Sequence, residues 1–468
     1  MVFIYYVKLK FLDYTEKRMT MKLLTLEEHR IRKANILYAE QKAKKYLRRE
    51  RIHDYLPGQV IYNLGEYPAP FSIRPTEYDY NLIKSLAEKG VGLIQLHEEW
   101  NDAIRVLGAD KFTSHDPEGL KEFIKLCHDF GIKVIPYFSS CFFDVRDPDF
   151  TEKFSPKHQH NLDCSFFRYR MCDPDSAEWD EFSARKMDMF LNDYEFDGIF
   201  NDIGYYVDHS KVKNAFIDYD PIFEDQLSRI YSRVKEFGGI VKIHAGKCLA
   251  PKTKEKVYDY IWVGEGVDSV DDMLSTTQFD PYIIACPDFK YMDEKKEEEF
   301  YAKTIPFMQF ILRVDGRPVT GEREEVPGID YLRGKAHDEK VHYNRVKEWY
   351  KAHPNGPHVY SEWSSIPDNP EMRERWFEYF DLYKPMVEEN SICYMDLTES
   401  EITKESLPKG VHMSLFVNEE VYLCISNLGN KTKTIEFTDK WLDRQTKNVI
   451  SSLTFDAGKM KFLKLVRE

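Results

Sequence analysis

The sequence predicts an α/β protein built on a (β/α)8 TIM barrel, with an N-terminal helical extension and a small C-terminal antiparallel β-sandwich. Three observations predict it. A helix–glycine–strand phrase recurs in AEKGVGLIQL (87–96), HDFGIKVIPYF (128–138), YEFDGIFND (194–202) and KEFGGIVKIHAG (235–246). Repeated phrases of that kind are parallel βα units. The strand-like apolar runs number eight, which is the number a closed barrel requires. The alternative is a doubly wound sheet, and no G-x-G-x-x-G or Walker loop follows an early strand to support it.

Each element follows from local signals. Residues 25–56 carry a capping box, Thr25 with Glu28, and no proline, so one long charged helix is expected there. The barrel strands are expected at Val60–Leu64, Val91–Leu96, Lys133–Phe138, Gly198–Asp202, Ile240–Ala245 and Tyr260–Gly264, with weaker runs at Tyr282–Ala285 and Ile305–Leu312. Amphipathic helices fall between them at Tyr78–Lys89, Pro117–Phe130, Ala177–Tyr194 and Ile222–Phe237, several ending at glycine. Beyond about residue 392 the pattern changes to alternating runs around the turns Asn418–Glu420 and Asn427–Asn430, which is antiparallel β-structure. The expected divisions are 1–54 for the extension, 55–392 for the barrel and 393–468 for the β-domain.

The chain has 468 residues and a net charge of −14, which argues against a nucleic-acid binder, whose phosphate contacts need a basic stripe. No apolar run is long enough to span a bilayer. The apolar N-terminus lacks a basic leader and a cleavage site, so it reads poorly as a signal peptide, and Met19 and Met21 are alternative starts. Eight cysteines without a C-x-x-C pair read as reduced, mostly buried thiols in a cytoplasmic protein, with Cys164 and Cys172 near enough in sequence to pair.

In a barrel the active site forms at the C-terminal ends of the strands. The fourth strand ends at Asp202, followed by Tyr205 and Tyr206; the sixth leads into Gly264-Glu265-Gly266. Two carboxylates facing one another across a barrel mouth are the minimal apparatus for glycosidic cleavage. Asp202 and Glu265 are therefore the expected catalytic pair. Asp197, before the strand, is expected to be structural. His97 and Trp100 after the second strand, Tyr137 on the third, His244 and Lys247 after the fifth, and Tyr205 and Tyr206 after the fourth are expected to contact the sugar. Arg313, with Asp315 and Arg317, is a further rim candidate. The loop after the third strand, rich in Asp144, Arg146, Asp147, His158, His160, Arg168 and Arg170, reads as a lid or binding wall.

The phrase FDGIFNDIGYY (196–206) resembles the fourth-strand phrase of retaining glycoside hydrolases of the α-galactosidase and α-glucosidase clans, families 31 and 36 and their neighbours. GIKVIPYFSS, MCDPDSAEW and LIQLHEEWND resemble bacterial glycosyl hydrolases, and VYLCISNLGNKTKTIEF resembles the β-domain that closes such barrels. The resemblance implies retaining cleavage of an α-linked glycoside, with Asp202 as nucleophile. Glu265 as acid/base is read from its place after the sixth strand, because those clans usually place an Asp there. They usually also carry a large β-sandwich before the barrel, so this chain reads as a shortened version.

No cofactor is expected, since two carboxylates suffice. The expected partner is a carbohydrate substrate, with neither nucleic acid nor membrane, and self-association is left open. Two rival readings are a metal-dependent hydrolase using His97, Glu99, His244 and Asp202, and a barrel that binds carbohydrate without cleaving it.

Overall fold

The computed structural model describes residues 24–65, 72–101, 112–145, 147–158, 160–164, 167–202, 220–244, 253–263, 282–286, 293–317 and 370–467. Parallel strands β2 (Gln59–Asn63), β3 (Leu93–Leu96), β4 (Lys133–Ser139), β8 (Gly198–Asp202), β9 (Ile240–His244), β10 (Tyr260–Val263) and β11 (Ile283–Ala285) stand side by side. The ring closes through one run of chain. Its first part, β12 (Phe310–Ile311), pairs with β11, and its second, β13 (Arg313–Gly316), pairs with β2. These staves are buried on both faces, which is why their sequences are mostly apolar along their length rather than alternating, with a few buried polar residues such as Gln59 and Gln95.

Helices α2 (Glu77–Lys89), α3 (Pro117–Asp129), α4 (Ala177–Tyr194), α5 (Pro221–Glu236), α6 (Glu294–Thr304) and α7 (Pro370–Tyr383) accompany the barrel. Thr76 and Asp79 form a capping box on α2, while Asp116, Ser176 and Asp220 cap α3, α4 and α5. Gly198 opens β8 at a φ of +145°, and a Cβ there would meet the Ile240 carbonyl oxygen at 2.0 Å. Asp197 accepts from His128 Nε2 at 2.7 Å and from Val134 N at 2.8 Å, joining α3, β4 and β8 below the mouth. The Asp-Gly of the fourth-strand phrase is thus a packing requirement, as expected for Asp197.

Four readings need correction. The charged helix stops early. It is α1 (Leu26–Lys42), capped by Thr25 and Glu28 as read, but residues 43–51 form strand β1 (Ala43–Arg51), antiparallel to β14 (Ile392–Ser400). Good helix formers yield here to an available strand edge, a tertiary contact overriding local propensity. The last barrel strand begins five residues late, because Ile305–Phe307 is a 3-10 turn with Pro306 at its start and Met308 at positive φ. The segment after β4 is not a bare loop. It carries β5 (Phe142–Asp144), β6 (Asn161–Cys164) and β7 (Phe167–Met171) as a three-stranded sheet. Its charges bind one another: Arg170 pairs with Glu152 and Asn161, and His158 with Asp173. Cys172 is a free, buried thiol, so the suggested Cys164–Cys172 disulfide is not formed.

The C-terminal strands are β14, β15 (Val411–Val417), β16 (Val421–Asn427), β17 (Lys433–Asp443), β18 (Val449–Phe455) and β19 (Lys459–Leu465). With β1 they form one antiparallel sheet in the order β1-β14-β15-β16-β19-β17-β18. Its two faces do different things. Cys424, Met460 and Phe462 join the barrel's core, while Leu423, Ile425 and Leu463 build a second core that also takes in Ala39 of α1.

Candidate active site

Strand alternation decides what enters the lumen. The register pairs Tyr137 with Phe200, Phe200 with Lys242, and Trp262 with His244, so these side chains share the inner face. One step higher, Ser139 pairs with Asp202. The C-terminal ends of β4, β8 and β9 thereby bring Tyr137, Asp202 and His244 together.

Their contacts are direct. The Tyr137 hydroxyl donates to Asp202 Oδ2 at 2.7 Å, and His244 Nδ1 meets Asp202 Oδ1 at 2.7 Å. The Asp202 side chain keeps 26% of its surface exposed, against 4% for His244. Burial pushes the Asp202 carboxyl up, but the His244 and Tyr137 hydrogen bonds and the nearby His97 outweigh it and hold the group below the usual carboxylate range. His97 is buried, its ring 5.3 Å from that of Tyr137, 6.0 Å from Phe200 and 6.4 Å from Trp262. A carboxylate held ionised in this way can act as a nucleophile or a charge stabiliser at neutral pH, but not as a proton donor.

Several expected site residues fall elsewhere. Trp100 is fully buried behind the wall; its Nε1 donates to the Tyr137 carbonyl at 3.1 Å, and its ring packs on Phe190, Tyr194 and Phe196. It is helix–sheet packing, not a sugar platform. Arg313 sits on the outer face of β13. It donates to Asp315 Oδ2 from Nε and Nη2 at 3.0 and 2.7 Å and to the Arg373 carbonyl at 2.6 Å, with its guanidinium 4.1 Å from the Phe377 ring centroid. Two-residue alternation turns it toward α7 rather than the mouth. Arg317 grips Asp79 and the carbonyls of Leu64, Ser72, Ile73 and Arg74, which ties down the chain after β2. Tyr137 and His244, read as sugar ligands, direct these polar atoms at Asp202. Tyr205, Tyr206, Lys247 and Glu265 lie outside the described residues. For the metal reading, no group of three or more His, Cys, Asp or Glu side chains stands ready for an ion among the described residues.

Two lumen residues escaped the sequence reading. Trp262 stands edge-on to His244, ring centroids 4.3 Å apart, and 5.2 Å from Phe200. Lys242 is fully buried, donates to Gln59 Oε1 at 3.0 Å across the barrel, and lies 6.0 Å from the Phe200 ring centroid. Burial pushes its ammonium down to about 7. The signal was the alternation in Ile240–His244, where Lys242 shares a face with His244.

No protein-family profile matches the sequence, and neither does any curated protein. Solved structures do resemble the fold. A noncanonic maltogenic α-amylase from Thermotoga neapolitana is 12% identical with a TM-score of 0.53, over 88% of this chain and all of that one. AmyP in complex with maltose is 12% identical with a TM-score of 0.50, over 87% and 94%. A pullulanase complexed with maltotetraose, from an Anoxybacillus species, is 11% identical with a TM-score of 0.50, over 87% and 71%. These names are not those of the α-galactosidase and α-glucosidase clans that the fourth-strand phrase resembles. At such identities the likeness is one of architecture, and the architecture is the (β/α)8 barrel with an antiparallel sheet domain behind it.

Proposed function

We propose that the chain hydrolyses an α-linked glucoside with retention of configuration. One observation carries the reading: a partly buried, ionised Asp202 at the end of the fourth barrel strand, held by a donor on each oxygen. In the first step an Asp202 oxygen attacks the anomeric carbon and forms a glycosyl ester, while the glycosidic oxygen leaves with a proton from Glu265. In the second, Glu265 takes a proton from water, the water oxygen attacks the same carbon, and the ester bond breaks to release Asp202. In the sequence, Glu265 follows Val263, the last residue of β10, by two positions. The glucoside class rests on the maltose and maltotetraose held by two of the similar structures.

The buried free thiols of Cys127, Cys141, Cys172, Cys286, Cys393 and Cys424 support a reducing, cytoplasmic setting. The divisions 1–54, 55–392 and 393–468 remain part of the proposal, with the sheet counted as extending to β1.

A panel of nitrophenyl glycosides tests the activity, and proton NMR of the first-formed sugar tests retention. Asp202→Asn and Glu265→Gln should each lower kcat by about a thousandfold or more. Full activity in both variants overturns the assignment. Sugar binding without turnover in the wild type points instead to a non-catalytic barrel.

A further inference from the structure

Asp202 and His244 share one hydrogen bond, and their burial separates their roles. An ionised carboxylate only accepts, so Nδ1 of His244 carries the hydrogen. Nε2 is buried and has no hydrogen-bond partner among the described residues. The ring is closed in by Trp262, edge-on with centroids 4.3 Å apart, and the side chain is 4% exposed. A general base must reach the proton it takes, directly or through one water. A nitrogen sealed in this way does not, whereas the carboxylate is 26% exposed.

We infer that His244 is a positioning residue: it holds one oxygen of Asp202 in its reacting orientation while Tyr137 holds the other. The inference rests on reading Asp202 as the nucleophile. The terminal torsion of an aspartate is broad on its own, and two donors from adjacent strands fix it. They serve the second step as well. When water opens the glycosyl ester, the electron pair of the breaking C–O bond returns to Asp202, and the Tyr137 O–H and His244 N–H stabilise the carboxylate as it leaves. Among the described residues, the other titratable groups that act on Asp202 electrostatically are His97, just after β3, and Cys141, after β4.

Carbon-13 NMR titration of the full-length protein labelled in its aspartate carboxyls tests this without substrate, with Asp202 assigned through Asp202→Asn. The wild-type midpoint should lie below the ordinary carboxylate range. His244→Leu and Tyr137→Phe should each raise it by about one unit, and His244→Asn, whose amide can donate from near the Nδ1 place, should recover most of the shift. Should His244→Leu not fold, His244→Gln, whose amide sits one bond further out, stands in for it. With a nitrophenyl α-glucoside, the acid limb of kcat/KM should move with the midpoint, and kcat should fall about tenfold or more while KM stays within about threefold. A midpoint unmoved in the His244 variants overturns the inference. A midpoint that moves in a protein that cleaves no glycoside leaves the positioning standing and overturns the hydrolase reading.

Discussion

Trp100 shows how far a single side chain can mislead. A tryptophan just after a barrel strand reads as a sugar platform, yet this one is buried among Phe190, Tyr194 and Phe196. Trp100→Phe should therefore leave KM unchanged and lower stability by about 1–2 kcal/mol through lost volume and the lost bond to Tyr137, measured by urea unfolding. A raised KM with unchanged stability would restore it to the site. Gly198 is the converse case, a small residue with a strict requirement. Gly198→Ala forces a methyl against the β9 backbone at a positive φ and should cost about 3 kcal/mol or more, or prevent folding. Asp202 was legible because an acidic residue closed an apolar run at a βα junction. Its two hydrogen-bond donors were not legible as such, because they come from strands 65 and 42 positions away in the chain.

At the scale of an element, β9 carries a buried amine in the middle of the lumen. Lys242 has Gln59 as its hydrogen-bond partner and no carboxylate partner among the described residues. Its native value of about 7 lies below the ordinary 10.5, so the unfolded chain binds the proton more tightly. The destabilisation is present in full below about pH 7 and is relieved as pH rises through 7 toward 10.5. Lys242→Met should stabilise the fold, by several kcal/mol at pH 6 and by progressively less toward pH 10, read from urea midpoints across that range. A stability difference that does not change with pH would show that the amine is charged in neither state or solvated in both. The element α1–β1 teaches a different lesson. Its capping box identified the helix start correctly, and nothing local marked the end at Lys42. That boundary is set by the edge of β14, which β1 covers from Ala43↔Ser400 to Arg51↔Ile392.

At the scale of the whole molecule, the barrel and the sheet domain share one core. Phe416, Cys424, Met460 and Phe462 pack with the barrel's apolar residues, and Ser414 Oγ donates to the Pro306 carbonyl at 2.7 Å beneath the last barrel strand. Removing residues 1–51 would strip β1 from β14 and leave an unpaired strand edge, an invitation to association. The truncated chain should melt several degrees lower and show dimers or larger species by light scattering, with kcat/KM of the remaining monomer within about twofold of wild type. Retained melting temperature and monodispersity would show that the sheet does not depend on its first strand.

The amino-acid order by itself determined the barrel, because helix–glycine–strand repetition is a local signal that each βα unit writes afresh. It also placed Asp202 at the end of the fourth barrel strand, where an acidic residue closes an apolar run. Only the tertiary structure decided which polar residues serve that aspartate. Lumen and outer positions alternate every two residues, so Tyr137 and His244 turn inward while Arg313 turns toward α7. That alternation is fixed by the pairing of each strand with its neighbours, a relation between distant segments that no single stretch of sequence contains.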